Sequence, residues 1–130
     1  MFNAIEETAP TVTFVITIGR NVPVKTTRRY PSWVEVKVTQ EPMSPAHWAS
    51  FQEEALALIL DASPTLYSKG ETVGHYKGVT EQGFAFIGTM SGHAARLLRP
   101  KLSALAAQFG QEAIGFIEQA DTNTLLYASV

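Results

Sequence analysis

The amino-acid sequence predicts an α+β domain: a two-layer sandwich in which an antiparallel sheet carries two helices on one face, with extra hairpin strands. Three observations carry this. Stretches such as "TVTFVITIG" alternate apolar and polar residues with the period of a half-buried strand. Two other stretches repeat apolar residues at helical spacing behind a serine able to cap a helix start. The elements then run strand, strand, helix, short strands, strand, helix, strand, strand, and in 130 residues both helices have to return the chain to one sheet.

In the first strand Val12, Phe14, Ile16 and Ile18 alternate with Thr11, Thr13 and Thr17, so one face points at a core; Arg20 and Asn21 leave its end. In "WVEVKVTQ" Val34, Val36 and Val38 share one face and Glu35 and Lys37 the other, as in a hairpin partner or an edge strand. Ser44 followed by Pro45 is a helix start, because the hydroxyl caps free amides and proline at the first position has no N–H to waste. Trp48, Phe51, Ala55, Leu58 and Ile59 follow at helical spacing, with Glu53 and Glu54 turned to solvent. After "DASP", "TLYSK" and "TVGHYK" read as two short strands joined through Gly70, and "GFAFIGTM" as a further strand. The second helix opens near Ser91 and runs through Leu98, Leu102, Leu105 and Phe109 to the stop at Gly110. Pro100 interrupts that stripe and predicts a kink or two abutting helices. "AIGFIEQ" and "LLYASV" close the chain around the turn "DTNT".

This order matches the ferredoxin-like split βαβ arrangement, with residues 1–130 as one domain and 1–10 as a flexible amino terminus. Such a sheet leaves one face without helices. Val15, Ala85, Ile87 and Ile117 fall on that parity, opposite Phe14, Phe86 and Phe116, which predicts a homo-oligomer packed through the open face.

Composition narrows the function classes. Hydrophobic residues make up 45% and charged residues 17%, as in a globular protein. A net charge of -2 supplies no basic field for general nucleic-acid binding. The absence of cysteine excludes disulfides, thiolate zinc sites and iron–sulfur clusters. His47, His75 and His93 lack ligand spacing, so neither metal nor cofactor is expected. Glu6 and Glu7 stand where a secretion signal needs positive charge, and no stretch reaches membrane-spanning length; the expectation is a cytoplasmic protein with no membrane partner.

The ordered set "IGR", "SPAHW" continuing to Phe51, Glu81 and "FGQEAI" resembles an uncharacterised family of small ferredoxin-like proteins of bacteria and phages. In that family a strand ends in Gly-Arg, matched by Gly19 and Arg20. A Ser-x-x-Trp-x-x-Phe helix start is matched at Ser44, with Trp48 one position late. A later Glu is matched by Glu81, and a closing Phe-x-Gln-Glu-x-Val by Phe109, Gln111, Glu112 and Ile114. The family's Gly-Gln-Trp strand is absent; "GHY" stands nearest to it. The resemblance implies the fold and no agreed activity. By analogy with compact phage-borne proteins, it points to interference with host defence by sequestering a nucleotide signal.

Two clusters carry candidate binding chemistry. "KTTRRYPSW" gathers Lys25, Arg28, Arg29, Tyr30 and Trp33; forked guanidinium donors match phosphate oxygens and aromatic faces stack bases. Its structural alternative is a solvated hairpin loop. "YSKGETVGHYKG" offers Tyr67, Lys69, His75 and Lys77, partly on one parity, as a second ligand-facing set or as an edge whose lysines block strand pairing. Arg20 and Glu112 stand at strand ends where they can pair beside a pocket, while Gln111 and Glu112 can equally serve the helix–strand corner. Ser91, Gly92 and His93 read as an ordinary helix start or an anion-holding turn. No catalytic set is assigned. The functional expectation is a non-catalytic binder of a small anionic, nucleotide-derived ligand at Arg20, Arg28, Arg29, Tyr30, Tyr67, Lys69, His75, Lys77 and Glu112. The alternatives are a cofactor-free ferredoxin-like dimeric enzyme using His75, paired with Glu81 or Glu112, and a protein-interaction inhibitor of a host factor.

Overall fold

The computed structural model describes residues 10–76 and 78–120. In chain order it contains β1 (Thr11–Gly19), β2 (Asn21–Arg29), β3 (Val34–Pro42), α1 (Pro45–Asp61), β4 (Leu66–Tyr76), β5 (Val79–Ser91), α2 (Gly92–Gln108) and β6 (Gly115–Ala120). Four strands form an antiparallel sheet in the order β4-β5-β1-β6, and β2 and β3 form a separate two-stranded antiparallel ribbon. The architecture is α+β and compatible with the ferredoxin-like class. No helix of the described residues is long and apolar enough to cross a membrane.

The period-two pattern of β1 does what its chemistry requires. Val12, Phe14, Ile16 and Ile18 are buried, and across β5 the same layer continues as Phe86 and Met90. From above, α1 presents Trp48, Phe51, Ala55 and Ile59, and α2 presents Ala95, Leu98, Leu102, Leu105 and Ala106. Phe51 and Phe109 stack at 4.9 Å and close the layer between the helices. Each large side chain taken from water here contributes about 1.5–3 kcal/mol. Both helix starts are capped: Ser44 Oγ accepts from the His47 N–H at 3.2 Å and Ser91 Oγ from the Ala94 N–H at 3.1 Å. Gly110, at φ +74°, ends α2 in the left-handed conformation and lets the Gln111 N–H return to the Ala106 carbonyl at 2.8 Å.

Three expectations change. β4 is one strand of 11 residues that passes through Gly70, because pairing with β5 along its length, Gly70 opposite Ala85 included, supplies the ladder that a lone glycine does not break. Pro100 lies inside a single 17-residue α2, so two abutting helices are not formed; the Arg96 carbonyl that loses its N–H partner belongs to an exposed turn where water can replace it. "KTTRR" is strand, since β2 pairs with β3 from Asn21 to Arg29 and only residues 30–33 make the turn. Val34, Val36 and Val38 share one face as expected, but that face is open, at 52%, 51% and 58% exposure. "LLYASV", Lys77 and residues 1–9 of the expected flexible terminus lie outside the described residues.

Replacing Gly110 by Ala puts a Cβ into the left-handed conformation and is expected to lower stability by about 1–2 kcal/mol. Leu98→Ala, which opens a cavity under α2, is expected to cost about 2–5 kcal/mol. Urea unfolding followed by circular dichroism measures both, and a Gly110→Ala protein as stable as the parent contradicts the capping role.

Candidate functional site

The site is built where the chain leaves the sheet. β1 ends at Gly19, and Arg20 turns the chain into the ribbon. The Arg20 N–H donates to the Gln82 carbonyl at 2.9 Å, and its own carbonyl accepts from the Met43 N–H at 2.9 Å. That second bond sets the alternation of the ribbon ladder, so the backbone groups of Asn21, opposite Pro42, point away from β3. They are satisfied from elsewhere. Glu81 on β5 accepts from the Asn21 N–H at 2.8 Å, and Gln111 after α2 donates Nε2–H to the Asn21 carbonyl at 2.7 Å. Gln40 on β3 donates to Glu112 at 3.2 Å and ties the ribbon a second time to the α2–β6 corner. Gly19 is demanded by this packing, because the Glu81 carboxylate occupies the space a Cβ there would fill.

These contacts rim a cleft of about 410 Å³. Its floor belongs to the open face of the sheet: Thr72, Gly83 and Gly19 lie in one cross-strand row, and Ala85, Thr17 and Gly115 in the next. Glycines in these rows carry no side chain, so the face sinks where the ribbon rises. Asn21, Gln40, Glu81, Gln111 and Glu112 supply two carboxylates and three amides around the rim. A carboxylate–amide rim takes a planar polar group that offers N–H donors and acceptors, and it repels a bare phosphate. Cations enter from beside it. Pro23 stands opposite Gln40, Lys25 opposite Val38 and Arg29 opposite Val34, so Lys25 and Arg29 follow Gln40 along one ribbon face.

The residues expected from the sequence are dispersed. Glu112 is on the rim, but the expected Arg20–Glu112 couple is replaced: Arg20 donates Nε–H to the Met43 carbonyl at 2.9 Å and Nη1–H to Gln82 Oε1 at 2.8 Å, stapling the ribbon base to β5. Arg28, Arg29 and Tyr30 are at the far end of the ribbon, where Arg28 donates to the Tyr30 hydroxyl at 3.3 Å and Tyr30 stacks on Trp33 at 4.2 Å. Tyr67, Lys69 and His75 do share a parity, on the helix side of the edge strand β4. Among the described residues no hydrogen bond or ion pair joins them to the ribbon tip. Lys69 covers a shallow hollow beside Phe84 and Phe86, and His75 Nδ1 meets Thr80 Oγ1 at 3.3 Å. His75 and Glu81 lie on opposite faces, because Gly74 is the residue opposite Glu81; the expected acid–base pair is not assembled. At the α2 start the Gly92 N–H is taken by the Pro10 carbonyl at 2.7 Å, so the anion-holding reading loses a donor. Among the described residues no group of three or more His, Asp or Glu stands ready for a metal ion.

Sequence reasoning missed Asn21, Gln40, Thr72 and Gly83 as site residues. Glu81, Gln111 and Glu112 carried a signal, through the spaced motif that also includes Gly19. No known protein family, curated protein or solved structure matches this chain.

Gly19→Ala is expected to displace Glu81, leave the Asn21 N–H unsatisfied and cost about 1–3 kcal/mol, and Gln111→Ala about 1 kcal/mol. Urea midpoints measure both. A Gly19→Ala protein with an unchanged midpoint removes the structural case for the corner.

Proposed function

We propose that this chain is a ferredoxin-like, non-catalytic binding protein that retains a small nucleotide-derived ligand in the glycine-floored cleft. One observation supports the reading: a carboxylate–amide rim suited to the edge of a base adjoins a ribbon face whose next side chain outward is a lysine. Lys25 lies two residues beyond Pro23, about 7 Å along the strand, within reach of a phosphate attached to a group seated in the cleft. The base donates N–H groups to the Glu112 carboxylate and exchanges hydrogen bonds with the amides of Asn21, Gln40 and Gln111, and the phosphate takes Lys25. In this reading the cleft holds the molecule by hydrogen bonds and charge and leaves it unchanged. Retention without turnover lowers the free concentration of the ligand, which is a sequestering role in the cytoplasm.

A second reading, the protein-interaction inhibitor, is favoured by the exposed valine face of the ribbon and by Trp33, exposed at the tip.

Native mass spectrometry of the purified protein, then calorimetry against nucleoside mono-, di- and triphosphates and cyclic dinucleotides, tests the first reading. Glu112→Ala is expected to weaken binding roughly 10- to 100-fold, the loss of a charge-assisted hydrogen bond. Lys25→Ala is expected to weaken it several-fold and flatten its salt dependence. No retained compound and no titratable nucleotide overturns the reading in favour of protein interaction; a ligand released chemically altered overturns its non-catalytic part.

A further inference from the structure

Among the described residues, two apolar surfaces of this chain have no partner. On the ribbon, Val34, Val36 and Val38 are about half exposed on one face. On the sheet, Ile87, Val15 and Ile117 stand side by side across β5, β1 and β6 on the face without helices, Ile87 and Ile117 at 48% and 65% exposure. An isolated two-stranded ribbon is marginal in water and needs an apolar face covered to hold its shape. This ribbon meets the domain through its base, by the contacts of Arg20, Asn21 and Gln40 and by Val22 packed against the core.

The two surfaces differ in charge. The valine face of the ribbon carries Lys25 and Arg29 and no carboxylate, since Glu35 and Glu41 fall on the other face with Lys37 and Arg28. The open face of the sheet carries Glu81 and, among the described residues of its strands, no lysine or arginine. Dimensions agree as well. The valines span about 14 Å from first to last, and the row from β5 to β6 spans about 10 Å.

We infer that the occupant of each surface is the other surface of a second copy: the ribbon of one protomer lies across the open sheet face of its partner, and the exchange is reciprocal about a two-fold axis. The valines cover Ile87, Val15 and Ile117, and Arg29 and Lys25 approach the acidic rim of the partner's cleft. In the dimer the partner's Lys25 and Arg29 take the place beside the rim that Lys25 of the same chain holds in a single copy, and they add the positive charge that the rim itself lacks. Face-to-face stacking of two sheets would instead leave both ribbons bare, so the exchange is the arrangement that resolves both surfaces. The inference stands on surface chemistry and does not require the ligand reading.

Sedimentation equilibrium of the whole chain tests it. The parent protein is expected to be dimeric at micromolar concentration, with dimerisation weakened by salt. Val36→Asp (a spoiled ribbon) and Ile87→Asp (a spoiled face) are each expected to weaken self-association at least 100-fold with circular dichroism unchanged, both positions being exposed. The mixture of the two variants decides the geometry. It retains one good ribbon and one good face in the same heterodimer, so it is expected to associate more tightly than either variant alone. A monomeric parent overturns the inference. So does a dimer insensitive to Val36→Asp, which identifies sheet-to-sheet stacking, and so does a mixture no tighter than its components. Nucleotide binding is measured separately, and its failure leaves these outcomes readable.

Discussion

Everything that distinguishes this molecule from a plain two-layer sandwich depends on how the backbone of one residue is satisfied. Asn21 begins the ribbon with its N–H and carbonyl turned away from β3, and a backbone polar group left unpaired in a half-buried corner costs about 1–3 kcal/mol. Glu81 and Gln111 meet that requirement from β5 and from the end of α2. The ribbon, the sheet and the helix–strand corner are therefore held at a single point. Gly19 is the steric condition for it, because Glu81 can reach Asn21 only across a residue without a side chain.

The cleft is a consequence of that solution. The residues that secure the corner are polar, they converge at the end of β1, and they stand around rows of glycine and threonine that leave the floor low. Structural and candidate functional roles thus reside in the same side chains. Glu81 accepts from a backbone N–H through one oxygen and Glu112 from the Gln40 amide through one oxygen, so each keeps acceptor capacity free. Arg20 spends its guanidinium on Met43 and Gln82, so the arginine at the end of β1 is an architectural residue.

Core and ribbon are stabilised by different physics. The aromatic and aliphatic layer between β1, β5 and the helices is closed on all sides, and no buried side-chain polar atom among the described residues lacks a partner. The ribbon contributes little to that layer. Its orientation rests on a few hydrogen bonds at its base, each contributing about 1 kcal/mol, against roughly twice that for each large side chain in the core. An element held so lightly is the first to open locally and the one best placed to exchange contacts with another molecule.

The period of β1, the parity of the open-face residues, both serine caps and the glycine stop of α2 were legible in the sequence, since each depends on residues within a few positions of one another. The continuity of β4 through Gly70 and the strand at β2 were not, because a ladder partner overrides local breakers and the partner is chosen by topology. The site was legible least. Glu81 appeared as a spaced motif residue and Gln111 as a polar side chain able to serve the helix–strand corner, and nothing in the order of amino acids announced that they take the N–H and the carbonyl of one residue 60 and 90 positions away. The sequence by itself determined which side chains face the core and where helices begin and end, because periodicity and capping are local. The tertiary structure alone decided which polar groups meet, because strand register and the path of the chain set distances that spacing in sequence does not encode.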